Sequence, residues 1–173
     1  MHSWRITKDR FCVKFNHRLD MKRALDGRPW VFDKNLVLLE TIGESENTAQ
    51  VCLDWNPFNV FVHDIPLSHQ TKNVAELIGN KISQFLEVEL HETGHRWTSA
   101  WKLWVAINAN SPLIRALRLR TGDDNSTLVS FSYDRLPNFC YSCGKLGQIS
   151  KFCPMKYEDN FVESDEPRSM DHR

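Results

Sequence analysis

Long apolar runs are missing from this chain: no stretch of its 173 residues reaches 18 apolar positions, which excludes a membrane-spanning helix. No glycine-rich phosphate loop, nucleophile elbow or acidic metal triad occurs. The chain is therefore expected to be no enzyme and to have no small-molecule substrate. The opening residues, MHSWRITKDR, carry charges where a signal peptide needs an apolar stretch. This reads as an intracellular protein, nuclear or cytoplasmic and not secreted. Five cysteines, an odd number, suit a disulfide framework poorly and are expected to be reduced. The sequon Asn125-Ser126-Thr127 carries no meaning without secretion.

Net charge is also absent, but the zero hides a pattern. Residues 1–35 carry +5, residues 36–95 carry −7, residues 96–120 carry +5, residues 121–153 balance, and residues 154–173 carry −3. Two basic blocks around an acidic one either meet as a phosphate-binding face or neutralise their neighbours. What is present, 41% hydrophobic and 11% aromatic residues, suits one globular domain of about 100–150 residues with a small appendage.

Residues 10–15 alternate weakly as a strand, and Asn16 is placed to cap a helix over 17–25 with Leu19, Ala24 and Leu25 available to a core. Asp26-Gly27 and Arg28-Pro29 stop it. Residues 30–32 and 35–42 read as strands, the second apolar enough to be buried. Residues 59–66 form a strand with Val60 and Val62 on one face and Phe61 and His63 on the other. Ser68 or Thr71 caps a helix to about Ile82, with Val74, Leu77, Ile78 and Ile82 at helical spacing. Strands follow at 85–90 and at 100–108, the latter with Trp101, Leu103, Val105 and Ile107 on one side. Residues 114–120 and 126–134 pair antiparallel across a turn. Two strand–helix–strand units in succession predict an α+β fold, a ferredoxin-like or RRM-like sandwich with its helices on one face. The expected organisation is an α+β domain over 1–135, a small metal module over 137–156 and a disordered acidic tail over 157–173.

The module is FCYSCGKLGQISKFCP, Phe139 to Pro154. Cys140 and Cys143 share a tight turn, and the short loop to Cys153 closes a cage around one ion; zinc takes four tetrahedral ligands of this kind. A segment with so little apolar core draws its folding energy from the metal. Gly144 and Gly147 suit a chain bent this sharply.

CYSCGKLGQISKFC resembles the retroviral-type zinc knuckle, C-x2-C-x4-H-x4-C, in all but one ligand. The aromatic after the first cysteine, the Gly-Lys pair after the second, the glycine before the ligand position and the isoleucine after it all match. Upstream, RALDGRPWVFDKNLVLLE, FVHDIPLSHQTKNVAELIG, WKLWVAIN, SPLIRALRL and SYDRLPNFCYSCG resemble, in order, the plant retrotransposon-associated domain of unknown function that precedes such a knuckle in gag-like proteins. The likeness covers about residues 10–155, and relatives of this type start earlier, so the chain is expected to be truncated at its N-terminus. The resemblance implies binding of single-stranded RNA or DNA. Tyr141 and Ile149 would form a platform for an unpaired base, and Lys145 and Lys151 would meet phosphates. The plainer alternative is that Tyr141 and Ile149 only cover the metal.

Gln148 departs from the pattern by standing where the histidine ligand belongs. A neutral amide is a harder and weaker zinc ligand than imidazole. Three readings are open: zinc on Cys140, Cys143 and Cys153 with water or Gln148 in fourth place; substitution by His172; or a decayed site without metal.

HETGH (91–95) spells the metalloprotease motif, but Gly94 suits a helix poorly. The segment joins two strand patterns and no third ligand follows, so it reads as a solvated turn. Cys12 and Cys52 are expected to be small, semi-buried residues, Trp30 to pack under the first unit, and Trp97, Trp101 and Trp104 to be core rather than a stacking surface. The leading expectation is a nucleic-acid binder of retroelement origin whose folded domain also supports self-association. The rival is a non-catalytic interaction or scaffold domain whose knuckle no longer binds zinc.

Overall fold

The computed structural model describes residues 2–43, 46–89, 100–120, 125–157 and 171–172. The first element is a hairpin of which the sequence pattern disclosed only the second strand, expected over 10–15. Strand β1 (His2–Thr7) pairs antiparallel with β2 (Arg10–Lys14). The side chains of β1 stay largely exposed, so no buried/exposed alternation marked it. Helix α1 (Arg18–Asp26) runs where expected, but its N-cap is His17, without a capping side chain, rather than Asn16. It buries no residue: Leu19 lies in solvent, and Met21, Ala24 and Leu25 are half-covered.

Strands β3 (Trp30–Phe32) and β4 (Asn35–Val37) form a ribbon joined by Asp33 and Lys34, both at positive φ. That two-residue turn has the hand that suits strand twist. The expected long buried strand over 35–42 is thus only three residues, and among the described residues β3 is its only strand partner. Within it, Leu36 alone reaches the core. Trp30 is half-exposed and donates from Nε1 to the Ala24 carbonyl at 2.7 Å, closing the ribbon onto α1.

The main sheet is built from β5 (Trp55–His63), β6 (Gln84–Val88), β7 (Ala100–Asn108), β8 (Ala116–Arg120) and β9 (Ser126–Asp134). Its order is β9-β5-β7-β6, antiparallel throughout, with β8 on the outer edge of β9. A two-residue strand, β10 (Asp171–His172), joins that same edge in parallel beside Tyr133 and Asp134. The rest of the tail lies outside the described residues, as do HETGH and Trp97.

Register shows why one face is core. Val60 faces Leu103 and Tyr133, Phe58 faces Val105, and Val62 faces Trp101 and Phe131. All of these are buried. Period-two alternation sends Phe61, His63, Lys102 and Trp104 to the opposite face, so Trp101 is core as expected while Trp104 is not. There Lys102 Nζ meets Glu89 Oε2 at 3.4 Å, a pair between the second basic block and the acidic one. Cys12 is half-buried, but Cys52 is exposed and donates to Asp54 Oδ2 at 3.1 Å.

Helix α2 (Lys72–Ile82) covers the core face, with Thr71 Oγ1 accepting from the Val74 N–H as its N-cap. Ala75, Ile78 and Gly79 face inward, and Val74 and Ile82 flank them. Leu77, expected in the core, falls on the solvent side of that stripe. No helix among the described residues is long and apolar enough to cross a membrane.

Gly79 sets how closely α2 approaches β6: an added Cβ would lie 2.6 Å from Phe85 Cδ2 and 2.9 Å from its Cβ. Gly79→Ala should therefore destabilise the chain by about 1–3 kcal/mol despite alanine's better helix propensity. Urea unfolding of both proteins checks this; an unchanged or raised midpoint would mean that the α2–β6 contact is loose.

Candidate metal centre

The connection from β7 to β8 crosses the core face without a helix, and the metal module is built on it. Tyr133, fully buried on β9, donates its hydroxyl to the Ile114 carbonyl at 2.6 Å and fixes that crossing. Burial pushes the Tyr133 phenol well above its usual pKa, so it stays a donor. Leu113, buried beside it, donates its N–H to the Gly144 carbonyl at 2.7 Å. Gly144 stands at φ +76° with Pro112 Cβ 3.2 Å from where its own Cβ would be. The left-handed backbone favours glycine there, and the space beside Pro112 is tight for a side chain.

The module itself is a tight hairpin followed by a return. Asn138 anchors it, donating to the Lys34 carbonyl at 2.7 Å and accepting from the Gly147 N–H at 2.8 Å. Phe139 and Leu146 form an antiparallel bridge, and both reach the main core. Cys140 N–H donates to the Lys145 carbonyl at 2.9 Å, and Gly144 N–H to the Cys140 carbonyl at 2.7 Å. The return is a 3-10 turn, Ser150–Phe152, which delivers Cys153. The module therefore does have a core, contrary to the expectation of a segment held by metal alone: it borrows one through Phe139, which is 5% exposed.

The sulfurs of Cys140, Cys143 and Cys153 lie within 4.8 Å of one another, close enough to share a metal ion. Cys140 and Cys153 are buried and Cys143 is half-buried. Burial by itself would raise the Cys140 thiol. The Cys143 N–H, the Ser150 hydroxyl, the Ser142 N–H and the Cys143 thiol stabilise its thiolate instead and bring it from 9.0 down to about 7. Burial and a hydrogen bond to Cys140 hold the Cys153 thiol above its ordinary value. Of these two thiols, Cys140 is thus the easier to ionise and Cys153 the harder.

Gln148 approaches this group at Cys143. Its Nε2 lies 2.8 Å from Cys143 Sγ. A side-chain amide is donor at one end and acceptor at the other, so a half-turn would bring Oε1 beside the cluster in place of Nε2. Three thiolates and an amide suit a soft divalent ion of the zinc type, with the fourth bond the weak one. The side chain of His172, the other candidate for that place, lies outside the described residues.

Tyr141 is 39% exposed, and its ring meets Phe139 edge-on, with centroids 5.0 Å apart and planes at 88°. Ile149 is similarly exposed, and Lys145 and Lys151 are in solvent. The Ser150 hydroxyl accepts from the Tyr141 N–H at 2.8 Å and lies 3.7 Å from Cys140 Sγ. It ties the segment carrying Tyr141 to the one carrying Ile149. Ser150 was missed from the sequence, where a serine in a loop gives no signal. Phe152 and Met155, also exposed here, were missed for the same reason. Arg115 Nη1 donates to the Tyr141 carbonyl at 3.4 Å, another tie to the domain.

Compared with known families, residues 107–155 match the model for the zinc knuckle. The match covers well under half of the chain and supports a CCHC-type knuckle in this segment. It starts within β7, so it takes in the crossing, β8 and β9 on which the cysteines are mounted. No curated protein and no solved structure matches the chain.

If Gln148 is the weak ligand, Gln148→His should tighten zinc binding at least about tenfold, or ~1.4 kcal/mol. Competitive titration of the full chain with a chromophoric chelator measures it. Equal affinities would show that another group already completes the cage.

Proposed function

We propose that the chain binds single-stranded RNA or DNA through a zinc-loaded knuckle. Cys140, Cys143 and Cys153 hold the ion, with Gln148 or water completing the tetrahedron; the bound ion would fix the hairpin and neutralise the thiolates. Tyr141 and Ile149 receive an unpaired base, while Lys145 and Lys151 meet phosphates. The observation that carries this reading is the Tyr141 ring: it is exposed, yet held edge-on against a buried phenylalanine beside the three-cysteine group. A ring so placed loses little freedom when a base stacks on it, and stacking tolerates any base.

The rest of the proposal goes further. The order β9-β5-β7-β6 places the strand before α2 in the sheet interior and the strand after it at an edge, as in ferredoxin-like and RRM-like sheets. Here β8 and the crossing stand where a second helix would be. A retroelement origin, in a plant gag-like protein, follows from the sequence resemblance. An intracellular location would go with nucleic-acid binding. The competing reading, a non-catalytic interaction domain capable of self-association, draws on the N-terminal half, where Phe11 and Phe32 are widely exposed.

Titration of a labelled single strand at several salt concentrations separates the contributions. Tyr141→Ala should weaken binding by about 1–3 kcal/mol with little salt dependence. Lys145→Ala and Lys151→Ala should each flatten the salt slope by about 0.7–1 unit. Parent-like binding by Tyr141→Ala would remove the platform from the account.

A further inference from the structure

Phe152 stands out on the knuckle surface. It is 70% exposed, more than Tyr141, and it is not part of the buried core. Its backbone is nonetheless held firmly. It closes the turn that ends at buried Cys153, with its N–H donating to the Ile149 carbonyl at 3.0 Å and the Cys153 N–H donating to the Ser150 carbonyl at 3.4 Å. Ser150, in the same turn, is bound to the Tyr141 N–H. The ring therefore projects from the same rigid frame as Tyr141 and Ile149. Lys151 Nζ lies 5.6 Å from its centroid. With the cation over one face of the ring, the other face is left for a base and the charge stands close enough to meet a phosphate of the same strand.

We propose that Phe152 is a second stacking surface for an unpaired base, distinct from the one at Tyr141 and Ile149, so that the knuckle engages at least two bases of a single strand. This rests on the single-strand reading above and extends it to a residue outside the platform that the knuckle resemblance implies. Stacking needs a flat π face, which separates it from apolar docking on a protein partner: there leucine would serve as well as phenylalanine.

The test uses the zinc-supplied full chain and two labelled strands of about 12 nucleotides, one carrying bases and one abasic throughout. Phe152→Ala should weaken binding to the base-bearing strand about tenfold and to the abasic strand less than about twofold. Phe152→Trp should restore the parent affinity and Phe152→Leu should not. Zinc content, measured on each variant, should be unchanged, because the ring lies outside the buried core. Parent-like binding by Phe152→Ala, an equal loss on both strands, or full rescue by leucine would each overturn the proposal. If Tyr141→Ala still weakens binding in that case, the single-strand reading survives and only the second surface fails. If the parent chain binds neither strand, both fall.

Discussion

Three cysteine sulfurs within 4.8 Å of one another are the constraint on which the C-terminal part of this protein turns. As thiolates they repel, and as buried thiols they leave weak donors poorly used. The chain moderates this with backbone N–H groups at Cys140, the Ser150 hydroxyl and the Gln148 amide at Cys143. None of these matches the charge that a divalent ion would supply, and the arrangement makes most sense as a binding site. One of the groups that steady the sulfurs also shapes the surface: Ser150 binds Tyr141, and the turn it begins ends with Phe152.

The second constraint is attachment. A free knuckle must take its whole folding energy from the metal, on the order of 10–16 kcal/mol with a full ligand set. This one is docked. Leu113 and Gly144 share a hydrogen bond, Gly144 packs against Pro112, and Phe139 and Leu146 enter the domain core. Burying Phe139 alone contributes about 1.5–3 kcal/mol. Contacts of this size give the hairpin a source of stability that does not depend on the ligand at position 148. The zinc-knuckle match, which begins upstream at residue 107, agrees with a module that includes its mounting.

How much of this was legible in the sequence depended on burial. Strands β5, β7 and β9 and helix α2 alternate or repeat against a packed face, so Val60, Val62, Leu103, Val105 and Ile78 could be assigned inward from pattern alone. Strand β1, the shortness of β4 and the exposure of Leu19 could not, because the N-terminal half packs little and leaves no periodic signal. Leu77 misled for a narrower reason: it sits one position away from the buried stripe formed by Ala75, Ile78 and Gly79. The cysteine spacing and the Gln148 departure were plain, since ligand spacing is local. The docking of the knuckle was not, because Pro112, Leu113 and Gly144 meet only through the fold.

On the reading proposed above, a metal held by three cysteines organises a surface for single strands. Chelation tests it most directly. Binding of a labelled single strand to the full chain would be measured with zinc, after its removal, and after its return, at low and high salt. The account predicts that removal abolishes most of the salt-insensitive, stacking part of the affinity while leaving the salt-sensitive part largely in place, and that zinc restores it. Affinity unchanged by removal, at both salt concentrations, would contradict it.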